Sequence, residues 1–530
     1  MDRFANGKFE STSLTSEGKI VLGPQVTKEL TTPEPFLWAL VFDSDGNMWS
    51  GSGTKAILYR VDKQKKEKVS FMPGTSITAL VTDKKQYIYA ASFPPATIYR
   101  YDRNGEGELF AELPSKYIWD MVIDSKGVIY AAGGYPAGIF KINPDKKVEQ
   151  IFSPADTHVL SLALDDSGSL YAGSSPNGII YRIAQDGKVS VFNDLDEEEP
   201  YRIVWLDNRL VVAANRYQPA PPLPGPKPGQ GAPREEPQSF PANQPAPPGQ
   251  PAPSALYELR PSGAKKLIFM SPDPYILSLL AIDNNSLYVG TGNDGHLYKV
   301  EINEERTTLT QLPVSQILAI TQYEGNFYIA SGSPGEVFSM NKNVVKEGSF
   351  ESTVNDIGTV GVWGNLWAEM DAPQGTSIKF QTRTGNTPTP DSVWSEWSSE
   401  FEQLPHKIDS PPGRYIQYRF RLGTEKPDVT PTVKEINVAY LTANQPPEIA
   451  DVKITPQPTQ RIPPQPTVPQ QPGAPPMPPQ PPMPPMPPQP PEKNIIVGTI
   501  QSAGAVTIRW KVTEPDNDPV VFNIYFRRLP

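Results

Sequence analysis

Cysteine is absent from the 530 residues, which excludes a disulfide scaffold, a thiol nucleophile and thiolate metal ligands alike. Histidine is scarce: His158, His296 and His406 are the whole supply and fall in different repeats or domains. No HExxH or Walker sequence occurs, so the common metalloprotease and P-loop nucleotide motifs are excluded. No run of about 18 apolar residues exists to span a membrane, and the start, MDRFANGKFESTS, has no apolar leader core. Basic stretches are lacking too: 48 Lys and Arg are mixed among 58 Asp and Glu, for a net charge of −10. Nucleic acid is therefore not an expected partner. With 39 glycines the chain cannot place one at every third position, which excludes collagen. Lack of cysteine fits an exported bacterial protein, and an extracytoplasmic location is the expectation.

What is abundant is proline, 63 residues against an ordinary usage of ~5%. The excess is local: 218–254 holds 14 prolines and 455–492 holds 19, so the other 455 residues carry 30. The second tract, with PPMPPMPPQPP, reads as a polyproline II spacer of roughly 120 Å if fully extended. The first, mixed with Gly, Gln and Ala, reads as a disordered insertion, either a mobile cover or a tolerated loop.

Internal periodicity organises the rest. FLWALVFDSDGNMWSGSG, YIWDMVIDSKGVIYAAGG, VLSLALDDSGSLYAGSS and ILAITQYEGNFYIASG share a template: an apolar strand, a turn rich in Asp, Asn or Gly, and a strand with an aromatic followed by small residues. A third strand follows, as in ILYRVD or HLYKVE, and then a more polar fourth. Equivalent second-strand positions are Trp49, Tyr89, Tyr130, Tyr171, Val211, Tyr288 and Tyr328, spaced by 40, 41, 41, 40, 77 and 40 residues. The long spacing is one repeat plus the first proline tract, which makes the count seven. Four short strands every ~40 residues predict a β-propeller blade. GKIVLGPQVTKEL is expected to add the outer strand of the last blade.

The turn signature D-x-x-G-x-L/I-Y-x-G resembles that of bacterial NHL-like or YVTN-like propellers, over residues ~35–340. That resemblance implies the fold and leaves function open, because the group hosts enzymes and binding modules. Beyond it, 344–445 alternates apolar and polar residues and reads as a β-sandwich. TRTGNTPTPDSVWSEWS and SPPGRYIQYRFRL give it a distant resemblance to discoidin-type or jelly-roll modules. Residues 446–454, then 493–530 with Trp510, Phe522 and Tyr525, resemble part of a fibronectin type III or Ig-like module, with 455–492 as the linker. Since such a module needs about seven strands, the chain is expected to be a piece of a longer exported protein. The expected domains are thus 1–34 closing the last blade, 35–343 the seven-bladed propeller, the sandwich, the linker and the partial module. The fold class is all-β.

For chemistry, the Asp-rich turns DSDGN (Asp43, Asp45, Asn47) and PDNDP (Asp516, Asp518) alternate oxygen ligands as calcium loops do. Equivalent turns reading DKKQ, DSKG and DNNS favour Asp as a turn former. Lactonase-type propellers hold a metal with several acidic and amide side chains of inner strands; here LWALVF, ITALVT, VLSLAL, ILSLLA and ILAITQ carry no carboxylate and Asp120 stands alone in YIWDM, so no metal site and no cofactor are expected. Propeller lyases that inactivate virginiamycin rely on histidine, and His158 starts an inner strand. The loops of one propeller face carry Phe36, Trp38, Tyr117, Trp119, Asp120, His158, Tyr201, Arg202 and Tyr275 around the channel mouth. Outside them come Phe93, Tyr135, Asn215, Arg216, Tyr217, Asn293 and Asp294. Aromatic rings with a few polar groups suit a protein or glycan partner. The expected function is non-catalytic recognition or scaffolding at the envelope. The alternatives are a lyase or hydrolase using Asp120, His158 and Arg202, or a sensor ectodomain. In the sandwich, Trp363, Trp367, Trp394 and Trp397 offer either sugar-stacking rings or core.

Overall fold

A computed structural model describes residues 4, 6–83, 87–195, 198–216, 254–442, 446–456, 495–501, 506–513 and 519–525. Tyr217, nearly all of both proline tracts (218–253 and 457–492) and residues 515–518 of the PDNDP turn lie outside the described residues. The protein is all-β; its described elements are strands.

Seven four-stranded antiparallel units follow one another. Their inner strands are Leu37–Phe42, Ser76–Thr82, Tyr117–Ile123, His158–Leu164, Glu198–Trp205, Ile276–Asp283 and Gln316–Tyr323, here blades 1 to 7. Each inner strand packs on the next, and the seventh packs on the first, which closes a β-propeller ring. Six blades take their four strands in chain order. Blade 7 takes its outer strand from Pro24–Thr31, which runs antiparallel to Glu336–Val344 with Val337 opposite Leu30 and Met340 opposite Val26.

The small residues after each second-strand aromatic have a packing reason. A methyl group on Gly51 would stand 2.4 Å from Ile77, and one on Gly290 2.4 Å from Ile317. Glycine there lets the next inner strand seat against the blade before it. The Asp turns are built as side-chain-bonded turns: Asp165 Oδ1 accepts from the Ser167 and Ser169 amides at 2.9 and 2.8 Å. Asp43 Oδ1 accepts from the Asp45 and Asn47 amides at 3.0 and 2.9 Å, and its Oδ2 takes the Trp49 indole N–H at 2.9 Å. Hydrogen bonds to the turn's own amides thus occupy the Asp43 oxygens that the calcium reading needed.

The sandwich core gathers Phe350, Trp363, Leu366, Phe380, Phe420 and Val433 with Phe4, Ile20 and Leu22 from the N-terminal segment. Lys8–Glu10 pairs with Glu347–Glu351, and Ile20 sits opposite Val433 of Thr432–Thr442. Thr12–Leu14 reaches the outer strand of blade 6, where Leu14 lies opposite Thr308. The first 34 residues therefore do more than close a blade: 4–22 belongs to the sandwich and bridges it to the propeller, and only 24–31 enters blade 7. Farther on, Glu448–Pro456, Val506–Thr513 and Ile495–Gln501 form a separate three-stranded sheet. There Trp510 packs on Phe522 at 5.3 Å.

Candidate binding site at the channel mouth

The same irregularity interrupts the inner strand of all seven blades. Pairing skips Trp38, Thr78, Trp119, Leu160, Tyr201, Leu277 and Leu318, one residue per blade. Such a bulge re-aims the skipped side chain and terminates regular pairing. Five of the seven, Trp38, Thr78, Trp119, Leu160 and Tyr201, line one cavity of about 120 Å³ together with Ser76, Phe93 and Arg202.

The rings pack in two groups, Phe36 with Trp38 and an arc of Phe93, Tyr117 and Trp119. Phe36 stacks on Trp38 at 5.5 Å, and Tyr117 on Trp119 at 5.1 Å. Phe93 meets Tyr117 and Trp119 edge-on at 5.1 and 5.4 Å. His158 closes the arc, accepting at Nδ1 the Trp119 indole N–H at 3.1 Å. Its proton therefore sits on Nε2. Burial lowers the His158 pKa, against an opposing pull from Glu199, and keeps the ring neutral near pH 7.

Asp120 follows the bulge of blade 3. Its Oδ1 accepts from Met121 N, and its Oδ2 from Leu162 N of blade 4, both at 2.9 Å. Burial raises its pKa, opposed by the Arg202 guanidinium and those two amides. Arg202 lies 4.6 Å over the Tyr201 ring and donates to the Tyr201 carbonyl at 3.1 Å. Asp120, His158 and Arg202 share no hydrogen bond among the described residues; each is committed to a different neighbour.

Other expected rim residues divide. Tyr135 is 63% exposed and Tyr275 43%. Lys116 lies 5.2 Å over Tyr117 and 6.0 Å over Tyr135. Asn293 takes a left-handed φ of 73° beside the exposed Asp294. Asn215 corrects its rim placement: it is buried, accepts from Ile276 N at 3.0 Å and donates to Ile276 O at 3.1 Å, clasping blade 5 to blade 6. Asn215→Leu leaves both buried backbone groups without partners and is expected to cost about 2–4 kcal/mol in urea denaturation. A loss below about 0.5 kcal/mol would show that water replaces the clasp.

Inner-strand alignment missed Ser76, Thr78 and Leu160, because none is aromatic or charged. Their signal was positional: each occupies or flanks the bulge that Trp38 and Trp119 mark in neighbouring blades. Nor was the group Asp273, Asp294 and His296 foreseen, whose ligand atoms lie within 4.8 Å of one another. A larger open groove, about 640 Å³, lies at the opposite end of blades 4 and 5, among Asp165, Asp166, Tyr171, Arg182 and Trp205. Its residues serve the Asp turn and the blade seam: Tyr171 stacks on Trp205 at 5.2 Å, and Trp205 Nε1 donates to Asp166 at 3.1 Å.

The sandwich tryptophans are mostly spoken for. Trp363 and Trp394 are buried, with their indole N–H groups on Pro411 O and Thr387 Oγ1 at 3.1 and 2.9 Å. Trp397 carries the Arg383 and Arg419 guanidinium groups 4.4 and 4.3 Å from its centroid, so protein cations already use its π surface. Only Trp367, 46% exposed, keeps a surface suited to stacking.

No protein-family model matches the chain, and no curated protein does. Among solved structures it is similar to virginiamycin B lyase from Staphylococcus aureus, at 11% identity over 61% of this chain and 99% of that one, TM-score 0.47. It is also similar to the extracellular domain of the putative one component system BT4673 from B. thetaiotaomicron, at 14% identity, 67% and 44% coverage, TM-score 0.44. A third is YCF48 bound to D1 peptide, at 13% identity, 60% and 97% coverage, TM-score 0.42. All three are β-propeller proteins. No helix among the described residues is long and apolar enough to cross a membrane.

Proposed function

We propose that the chain is a non-catalytic recognition protein of the bacterial envelope, with a seven-bladed NHL-like propeller whose aromatic channel mouth binds a protein or glycan partner. The sandwich and the fibronectin type III-like sheet act as spacers that present it. The observation that carries this reading is the repeated bulge, which brings Trp38, Trp119 and Tyr201 to one cavity that Thr78, Leu160 and Arg202 also line. Rings held by neighbouring rings lose little freedom on binding, which favours affinity. The lyase or hydrolase alternative draws no support from geometry: both Asp120 oxygens accept backbone N–H bonds, so its carboxylate is a blade-to-blade tie.

The test is binding of the full chain to envelope extracts and to a glycan array. Trp38→Ala with Trp119→Ala is expected to weaken capture at least about 30-fold, the loss typical of a paired hot spot. Phe71→Ala, an exposed ring on the outer strand of blade 1, serves as the control and leaves capture unchanged. Equal capture by the double variant would sink the proposal.

A further inference from the structure

We infer that blade 6 carries a divalent-cation site made by Asp273, Asp294 and His296. The argument comes from comparing blades. In three of them an acid in the segment entering the inner strand is tied to the loop between the second and third strands of its own blade. In blade 1 the buried Glu34 takes Thr54 Oγ1 at 2.7 Å and the Lys55 ammonium at 3.4 Å. In blade 4 the buried Asp156 takes Ser174 Oγ and the Asn177 amide. In blade 6 the buried Asp273 takes Thr291 Oγ1 and Tyr298 OH at 2.9 Å on one oxygen, and His296 Nδ1 at 3.2 Å on the other.

One loop position separates the three cases. It lies three residues after Ser52, Ser174 and Thr291, and it holds Lys55, Asn177 and Asp294 respectively. Lysine and asparagine donate to the acid. Aspartate has no proton to give at neutral pH, so blade 6 sets a second carboxylate where its sisters place a donor. The pair and the imidazole have ligand atoms within 4.8 Å of one another. Two carboxylates so close repel unless a cation lies between them.

The donor set fits such an ion. One imidazole nitrogen with two carboxylate oxygens is a borderline set that suits Zn²⁺ and related divalent ions, with the remaining positions open to water. Ligand atoms at ~2.1 Å from one ion stand roughly 3.4 Å apart, close to the 3.2 Å between Asp273 Oδ1 and His296 Nδ1, where the ion takes the place of the shared proton. Asp273 is oriented as metal-bound carboxylates are, by donors on its far oxygen. Asp294 is exposed, which gives an ion its path in.

The experiment uses the untagged full chain, stripped with chelator and titrated calorimetrically with Zn²⁺, then with Ca²⁺, beside thermal melts. The expected result is one saturable Zn²⁺ per chain, with a rise in Tm that chelator reverses. Asp294→Asn restores the blade 4 arrangement, so it should melt like the stripped wild type while binding Zn²⁺ at least 100-fold more weakly. His296→Ala should lose binding as well. No saturable Zn²⁺ uptake, uptake of Ca²⁺ alone, or wild-type affinity in Asp294→Asn would each overturn the site.

Discussion

Removing residues 1–31 is expected to abolish a cooperatively folded monomer, although 499 of the 530 residues remain. The deleted piece contributes Phe4, Ile20, Leu22 and Leu30, all buried. At about 1.5–3 kcal/mol per fully buried apolar side chain, their loss forfeits about 6–12 kcal/mol, comparable with a whole domain's stability. Geometry adds to this. Without Pro24–Thr31 the strand Glu336–Val344 becomes a bare edge in blade 7, next to blade 1 where the ring closes. Without Lys8–Glu10 the strand Glu347–Glu351 loses one of its two partners. Unpaired edges of this kind template association with other chains. Size-exclusion chromatography should therefore show aggregate, and the urea transition should be broad or absent. A monomeric truncation that melts cooperatively within a few degrees of the full chain would show that the ring closes without its eight-residue strap.

That strap illustrates what periodicity makes legible. Trp49, Tyr89, Tyr130 and Tyr171 recur because each blade must bury an aromatic against the next, and a repeated burial leaves a repeated letter. The missing outer strand of blade 7 was legible as an arithmetic gap, since Glu336–Val344 needed a partner and GKIVLGPQVTKEL alternates as a strand does. The candidate site was legible only where its residues are rings or charged: Trp38, Trp119 and Arg202 stand out, while Thr78 and Leu160 hold equivalent bulge positions in silence. Asn215 was misread because the direction of a side chain at a strand end, toward solvent or toward the next blade, does not alter strand period. Asp273 and His296 meet across a loop that separates them by a whole β-hairpin, and nothing in local spacing joins them. Comparison between blades recovers that pair, since Asn177 and Lys55 show what Asp294 replaced.

Phe350→Ala is expected to cost about 3–5 kcal/mol, the range for emptying a large buried ring from a core. Phe350 is 1% exposed and sits at the centre of a cluster, with ring centroids of Phe4, Phe9 and Phe420 at 5.1, 5.2 and 5.3 Å. Its strand lies between two others, so that Phe9 faces it on one side and Phe420 on the other. Gly7 is fitted to the same ring: a methyl group there would stand 2.2 Å from it, so Gly7→Ala should also destabilise, by overpacking and not by a cavity. The consequence reaches past the sandwich because the segment that Phe350 anchors runs on into blade 7. Phe350→Ala should expose the first 31 residues to limited proteolysis well before the bulk of the chain, and the cut protein should then behave as the truncation does. Phe71→Ala, at a ring 74% exposed, should change stability by less than about 0.5 kcal/mol. If Phe350→Ala instead lowers sandwich stability while the N-terminal strands stay protease-resistant, the N-terminal segment is held by its pairing with blades 6 and 7, and the aromatic cluster is a local core with no part in closing the ring.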